Sequence, residues 1–328
     1  MRHKKFSRRQ RGALIFLVMA MGLLALDYYA FPYSATISGR ALSTRTNGLW
    51  VRYTHYFGQK SDAEISALCE RLKAEGIRDA YFHVRFIQTD GSLKFHYPEQ
   101  AQKLIAAVHT QAPESRCLAW VYVGNARGEG AVVLSDPAVR KKMVAEALWL
   151  CTKCGFDGVQ WDYEICEDGN PDLLALLDET RAALPQGKVL SVAAPMWFPV
   201  RAFGWSEDYF SQVAARCDQV AVMCYDTGML LPRAYVALAA QNVVHVTQAV
   251  ARGNPHCQML LGAPTYGKGL RSHNPRAENI ANALRGARQG LADPKTRPEV
   301  FAGVALFADY TTDTHEWETY HALWASHF

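Results

Sequence analysis

Gly155-Phe156-Asp157-Gly158-Val159-Gln160-Trp161-Asp162-Tyr163-Glu164 holds the most informative pattern in this 328-residue chain. Its aromatic and β-branched content after a glycine stop predicts a buried strand. Side chains alternate along a strand, so Gln160, Asp162 and Glu164 share one face while Val159, Trp161 and Tyr163 share the other. Two carboxylates two residues apart on one face lie roughly 6–7 Å apart along the backbone. With little water between them they push each other's pKa values apart, so that one stays protonated as an acid while its neighbour stays charged.

Around this strand, short apolar runs alternate with helical patterns, the sequence mark of a parallel sheet. The candidate strands are 49–54, 79–86, 116–123, 157–163, 188–195, 218–225, 258–264 and 301–308. Helical patterns fall at 61–75, 98–112, 136–154, 171–184, 206–215, 234–252, 275–290 and 315–326. Ser61-Asp62, Asp136-Pro137 and Pro171-Asp172 supply start signals, and Gly76 and Gly155 stand where helices stop. Eight such units close a barrel, and about 250 residues suffice for one. The expected fold class is therefore α/β, a (β/α)8 TIM barrel over 48–328, preceded by a hydrophobic targeting segment at 1–33 and a linker at 34–47.

The segment 1–33 opens with Arg2, Lys4, Lys5, Arg8, Arg9 and Arg11, then runs uncharged from Gly12 to Leu26 into Asp27, Tyr28 and Tyr29. A basic region before an apolar core fits a secretory signal; extended through the aromatics it spans a bilayer with its N-terminus in the cytoplasm. No small-x-small cleavage site follows the core, which favours an uncleaved anchor. Either reading places the main domain outside the cytoplasm. Of the 35 basic residues these six precede the core, leaving 29 against 31 acids, a net charge of −2 for residues 12–328. A domain without a basic excess argues against nucleic acid as its partner. Eight cysteines at 69, 117, 151, 154, 166, 217, 224 and 257 include one close pair, Cys151 and Cys154, and no second pair completes a zinc site. Core thiols are the favoured reading over a disulfide or a metal site.

A barrel of this type gathers its active site at the C-terminal ends of the strands. The candidate strands deliver His83 and Arg85, Trp120 and Tyr122, Asp162 and Glu164, Trp197, Met223, Tyr225 and Asp226, Tyr266, and Phe307 to that rim. Aromatics with a few carboxylates suit sugar rings, whose C–H faces pack on aromatic planes while their hydroxyls seek acceptors. His83 and Arg85 stand open between substrate binding and a salt-linked core, Trp120 and Trp197 between sugar platforms and wall packing. His273 and His321 read as surface or loop residues.

Asp157-Gly158-Val159-Gln160-Trp161-Asp162-Tyr163-Glu164 resembles the Asp-Gly-x-Asp-x-Asp-x-Glu signature of glycoside hydrolase family 18, the chitinase-like enzymes. Met223-Cys224-Tyr225-Asp226 is similar to that family's Met-x-Tyr-Asp, with weaker echoes at Ala193-Ala194-Pro195 and Leu261-Gly262-Ala263-Pro264. The resemblance implies Glu164 as general acid and Asp162 as the group orienting the substrate's own 2-acetamido oxygen for attack on the anomeric carbon. It implies Tyr225 as a hydrogen-bonding partner of that acetamido group, and retention of configuration. It places Gln160, Asp226, Trp197, Met223, Tyr266 and Phe307 around the substrate, an N-acetylhexosamine-containing glycan such as chitin, peptidoglycan or an N-glycan, with no metal and no cofactor. Two departures stand out. Gln160 replaces the first Asp of the signature and cannot take up a proton, and Phe307 replaces a Trp commonly found on the last strand. The alternative is a weakly active or inactive glycan-binding protein on the same barrel.

Overall fold

The computed structural model describes residues 7–31, 46–124, 131–164, 166–267 and 272–325. In chain order the elements are α1 (Arg8–Ala30), β1 (Asn47–Val51), α2 (Tyr53–Tyr56), α3 (Asp62–Ala74), β2 (Ile77–Phe86), α4 (Pro98–Gln111), β3 (Arg116–Val123), α5 (Pro137–Trp149) and β4 (Gly158–Tyr163). There follow α6 (Pro171–Ala183), β5 (Val189–Pro195), α7 (Glu207–Ala214), β6 (Gln219–Met223), α8 (Pro232–Gly253), β7 (Gln258–Pro264), α9 (Ile280–Ala292), β8 (Phe301–Phe307) and α10 (Thr314–Leu323). The eight strands form one closed parallel barrel in sequence order, with β8 pairing β1. The fold is the expected (β/α)8 barrel.

Local chemistry explains the boundaries. Ser61 and Glu64 cap α3 reciprocally, Asp136 accepts from the Ala138 amide at the start of α5, and Asn170 caps α6 ahead of Pro171. The predicted helix 136–154 closes in a wider π turn at Leu150–Cys154, and Gly155 ends it at φ 92°, a conformation that favours glycine. Gly158 answers to a different demand: a Cβ there would lie 2.2 Å from the Val189 carbonyl of the neighbouring strand. The first strand is earlier than the predicted 49–54, because Arg52 starts the turn into α2.

Two apolar cores result. The larger lies between strands and helices and includes Val159 and Trp161, whose indole Nε1 donates to Thr180 Oγ1 on α6 at 3.1 Å. The smaller fills the barrel around Trp50, Tyr81, Leu118 and Trp120. All eight cysteines are buried free thiols. α1 is long and apolar enough to cross a bilayer and buries none of its residues. Most of the predicted linker and the three cations Arg2, Lys4 and Lys5 lie outside the described residues.

Candidate active site

Alternation along β4 sends Gln160 and Asp162 inward, and Glu164 follows at the strand's end. Asp162 is 2% exposed; its Oδ2 accepts from Trp120 Nε1 at 2.7 Å, and among the described residues its Oδ1 has no hydrogen-bond partner. Burial, then repulsion from Glu164, pushes the Asp162 carboxyl up to about 7, against the pull of the Trp120 bond. Glu164 is also raised, by burial first and by Asp226 second, while a hydrogen bond from Tyr122 opposes the rise.

Glu164 stands where two halves of one mouth meet. On one side a hollow of about 880 Å³ is lined by Glu164, Met196, Phe203, Met223, Tyr225 and Asp226, among others. On the other a hollow of about 430 Å³ is lined by Glu164, Asp162, Tyr53, His83, Trp120 and Phe307, among others. Both fall within the roughly 300–1,000 Å³ usual for small-ligand sites. Tyr225 stacks on Phe307, ring centroids 5.1 Å apart and 25° between planes. Burial drives the Tyr225 hydroxyl well above its ordinary value, with Asp162, Tyr266 and Glu164 adding to the rise, so it remains a neutral donor. His83 stacks on Trp120 at 4.0 Å, and burial lowers its imidazole to about 3, leaving it uncharged. Among the described residues, Arg85 and Asp226, at φ 76° and 54°, are the two non-glycine residues held in the left-handed region, and both line the mouth. Such backbone costs about 1–3 kcal/mol each and is common at working sites.

Several expected site residues are placed differently. Gln160 is fully buried below the mouth, and its amide bonds partners other than Asp162. Its Oε1 accepts from Trp50 Nε1 at 2.8 Å and its Nε2 donates to Ser191 Oγ at 3.0 Å. Ser191 in turn donates to Gln219 Oε1, and Gln219 Nε2 donates to Asp79, which Arg116 holds. Position 160 must therefore accept and donate at once, which an amide does and an ionised carboxylate does not. Trp197 stacks on His245, centroids 3.9 Å apart at 9°, and lines a separate surface groove with Phe198 and Glu207. Tyr266 stands behind the mouth, edge-on to Tyr225 at 6.3 Å and Phe307 at 6.0 Å. His273 is a loop residue, but its side chain is fully buried, 3.4 Å from Glu278 and 3.8 Å from Asp226, with Nε2 3.0 Å from the Tyr266 carbonyl. His321 is exposed as expected.

Among the described residues two triads bring possible metal-ligand atoms within 4.8 Å of one another, Asp226–His273–Glu278 beside the mouth and His109–Cys117–Asp157 away from it. In each an imidazole nitrogen faces a carboxylate oxygen directly, at 3.4 Å for His273–Glu278 and 2.8 Å for His109–Asp157. Sequence reasoning missed Trp50, which underlies Tyr225 and Phe307, and the places of Arg52 and Tyr53 in the mouth. Their position on or just after the first strand was the available signal.

The sequence matches the family described as Glycosyl hydrolases family 18 over residues 52–326. No curated protein matches the chain. Among solved structures, the C-terminal domain of a putative chitinase from Desulfitobacterium hafniense is similar with TM-score 0.63 and 17% identity, over 87% of this chain and 99% of that one. The spore cortex-lytic enzyme SleL of Bacillus cereus gives TM-score 0.60 and 12% identity over 88% and 76%. A chitinase from Bacteroides thetaiotaomicron gives 0.57 and 14% over 84% and 94%. At these identities the structures bear on the fold alone.

Proposed function

The chain belongs to glycosyl hydrolases family 18 and is a glycoside hydrolase, and from that premise we propose that it cleaves an N-acetylhexosamine-containing glycan with retention of configuration, using the substrate's acetamido group as nucleophile. The observation that carries this reading is the place of Glu164, the residue common to both halves of the mouth. A glycan lying across both halves puts its glycosidic oxygen over that carboxyl. Glu164, whose carboxyl is raised by burial and by Asp226, gives its proton to the leaving oxygen as the C1–O bond breaks. The acetamido carbonyl oxygen closes onto C1 from the opposite face, forming a cyclic oxazolinium. Glu164, now a carboxylate, takes a proton from the water that opens that ring at C1 and returns a hydroxyl on the original face.

Asp162 supplies the acceptor for the acetamido N–H. Trp120 holds one of its oxygens and leaves Oδ1 without a partner among the described residues. The neutral Tyr225 hydroxyl donates to the acetamido carbonyl as charge shifts toward it. Met223, Asp226 and Phe307 line the surrounding hollows. Protonation and neighbouring-group attack supply the chemistry without a metal or cofactor. α1 is compatible with a signal or an anchor; a sequence without a small-x-small site directly after the apolar core favours a single-pass anchor, and the basic segment before it puts the barrel outside the cytoplasm.

The test is hydrolysis of a panel of N-acetylglucosamine glycosides and peptidoglycan fragments by the wild type and by Glu164→Gln. Wild type is expected to cleave at least one class, and the variant to lose about 10²–10⁴-fold in kcat with KM little changed. Binding of these sugars without cleavage by the wild type sinks the enzymatic mechanism.

A further inference from the structure

We propose that the rim carrying Glu164 rests on the outer surface of the bilayer that α1 spans, so that the mouth opens against lipid headgroups and takes a glycan held at the membrane. This rests on the anchor reading of α1 and adds to the glycosidase reading the place where its substrate lies.

The apolar body of α1 stands clear of the barrel: Leu14 through Leu26 includes ten large apolar side chains, each about half exposed or more. The contacts that tie α1 to the barrel gather at its C-terminal end. Arg233 Nε donates to Asp27 Oδ1 at 2.8 Å, and Arg276 donates to the carbonyls of Tyr28 and Tyr29. The Arg276 guanidinium lies over both tyrosine rings and that of Arg233 over Phe31. Arg233 lies in the first turn of α8, at the end of the loop that follows β6, and Arg276 lies in the loop between β7 and α9, so both stand on the side where strands lead into helices. These are also the loops that carry Asp226 and Tyr266. A spanning helix ends at the headgroups, where aromatic rings and arginines are favoured. The helix end is thereby fastened to the catalytic face.

An independent observation points the same way. Outside α1, the exposed large apolar residues among those described are Val133, Val200, Phe203, Leu230 and Tyr310. Every one lies in a loop after a strand, following β3, β5, β6 or β8, and none on the helix ring or the opposite rim. Phe203 and Tyr310 line the mouth and suit sugar faces. Val133, Val200 and Leu230 are aliphatic and outside the mouth, where a hydroxylated glycan gains little from them. A bilayer interface gains from each.

The full-length chain reconstituted in phosphatidylcholine–phosphatidylglycerol vesicles tests this. Leu230→Cys and Val133→Cys place a reactive thiol among eight buried ones, and Glu114→Cys places one in the exposed turn before β3, on the opposite rim. Each is labelled with an environment-sensitive fluorophore, and doxyl-labelled lipid is added to the bilayer. Loss of emission at 230 and 133 with none at 114 is expected. Equal emission at the three positions, or quenching confined to 114, overturns the proposal. Loss that follows protein density and not doxyl lipid overturns it in favour of a second copy on this face. Hydrolysis is not read, so failure of the glycosidase mechanism and failure of membrane docking are separate results.

Discussion

Replacing Asp162 with Asn tests the electrostatics of the site at its most perturbed group. Asp162 is buried, and its carboxyl rises from 3.8 to about 7 on folding. A group raised on folding binds its proton more tightly in the native state. Its stabilising contribution is complete below the unfolded value and is lost as pH climbs through the folded value. A rise of about three units at about 1.4 kcal/mol each amounts to about 4 kcal/mol, with the loss running from about pH 4 to about pH 7. Asn keeps an oxygen for the Trp120 indole and removes the titration. Urea unfolding of both proteins in detergent across pH 4–8 reads the difference. The wild type is expected to lose stability relative to Asp162→Asn by several kcal/mol over that window, with the variant nearly flat by comparison. Parallel curves, or a wild type that gains on the variant as pH rises, refute the argument that burial and Glu164 dominate this carboxyl.

Three further outcomes follow from the same geometry. Asp226→Asn removes a charge that raises Glu164; since a general acid works protonated, the alkaline limb of kcat/KM moves to lower pH, and an unmoved limb counts against Asp226 as a cause. Gln160→Glu leaves Ser191 without its donor unless the new carboxyl stays protonated, so denaturation near pH 4 matches wild type and stability falls by about 1–3 kcal/mol as pH rises; a pH-independent effect contradicts the donor–acceptor chain. Gly158→Ala sets a methyl against the Val189 carbonyl and costs at least about 1–3 kcal/mol in a thermal or urea melt; a melt unchanged from wild type shows that β4 and β5 do not meet so closely.

What was legible in the sequence lay in short-range patterns. Eight apolar runs separated by capped helices determined a parallel barrel, because hydrogen-bond caps, turn glycines and side-chain alternation act within a few residues. Parity along 157–164 assigned Gln160, Asp162 and Glu164 to the inside and Trp161 to the helix layer, and the structure agrees. The partners of those residues were not legible. Gln160 bonds residues 110 positions before it and 31 after it, and nothing local distinguishes a strand amide that faces a substrate from one that bridges Trp50 and Ser191. Trp197 sits at a strand end like the mouth residues, but His245, on the helix of the next strand–helix unit, takes its face.

By itself, then, the sequence determined the barrel and the rim on which the acids stand, since each follows from periodicity and side-chain chemistry. Only the tertiary structure decided that Gln160 belongs to a buried relay and that Asp162 keeps one oxygen open. It also decided that Glu164 joins two hollows into one mouth. Closing a barrel brings residues far apart in the chain into a space with little water, and there burial and neighbours set charge and hydrogen bonding.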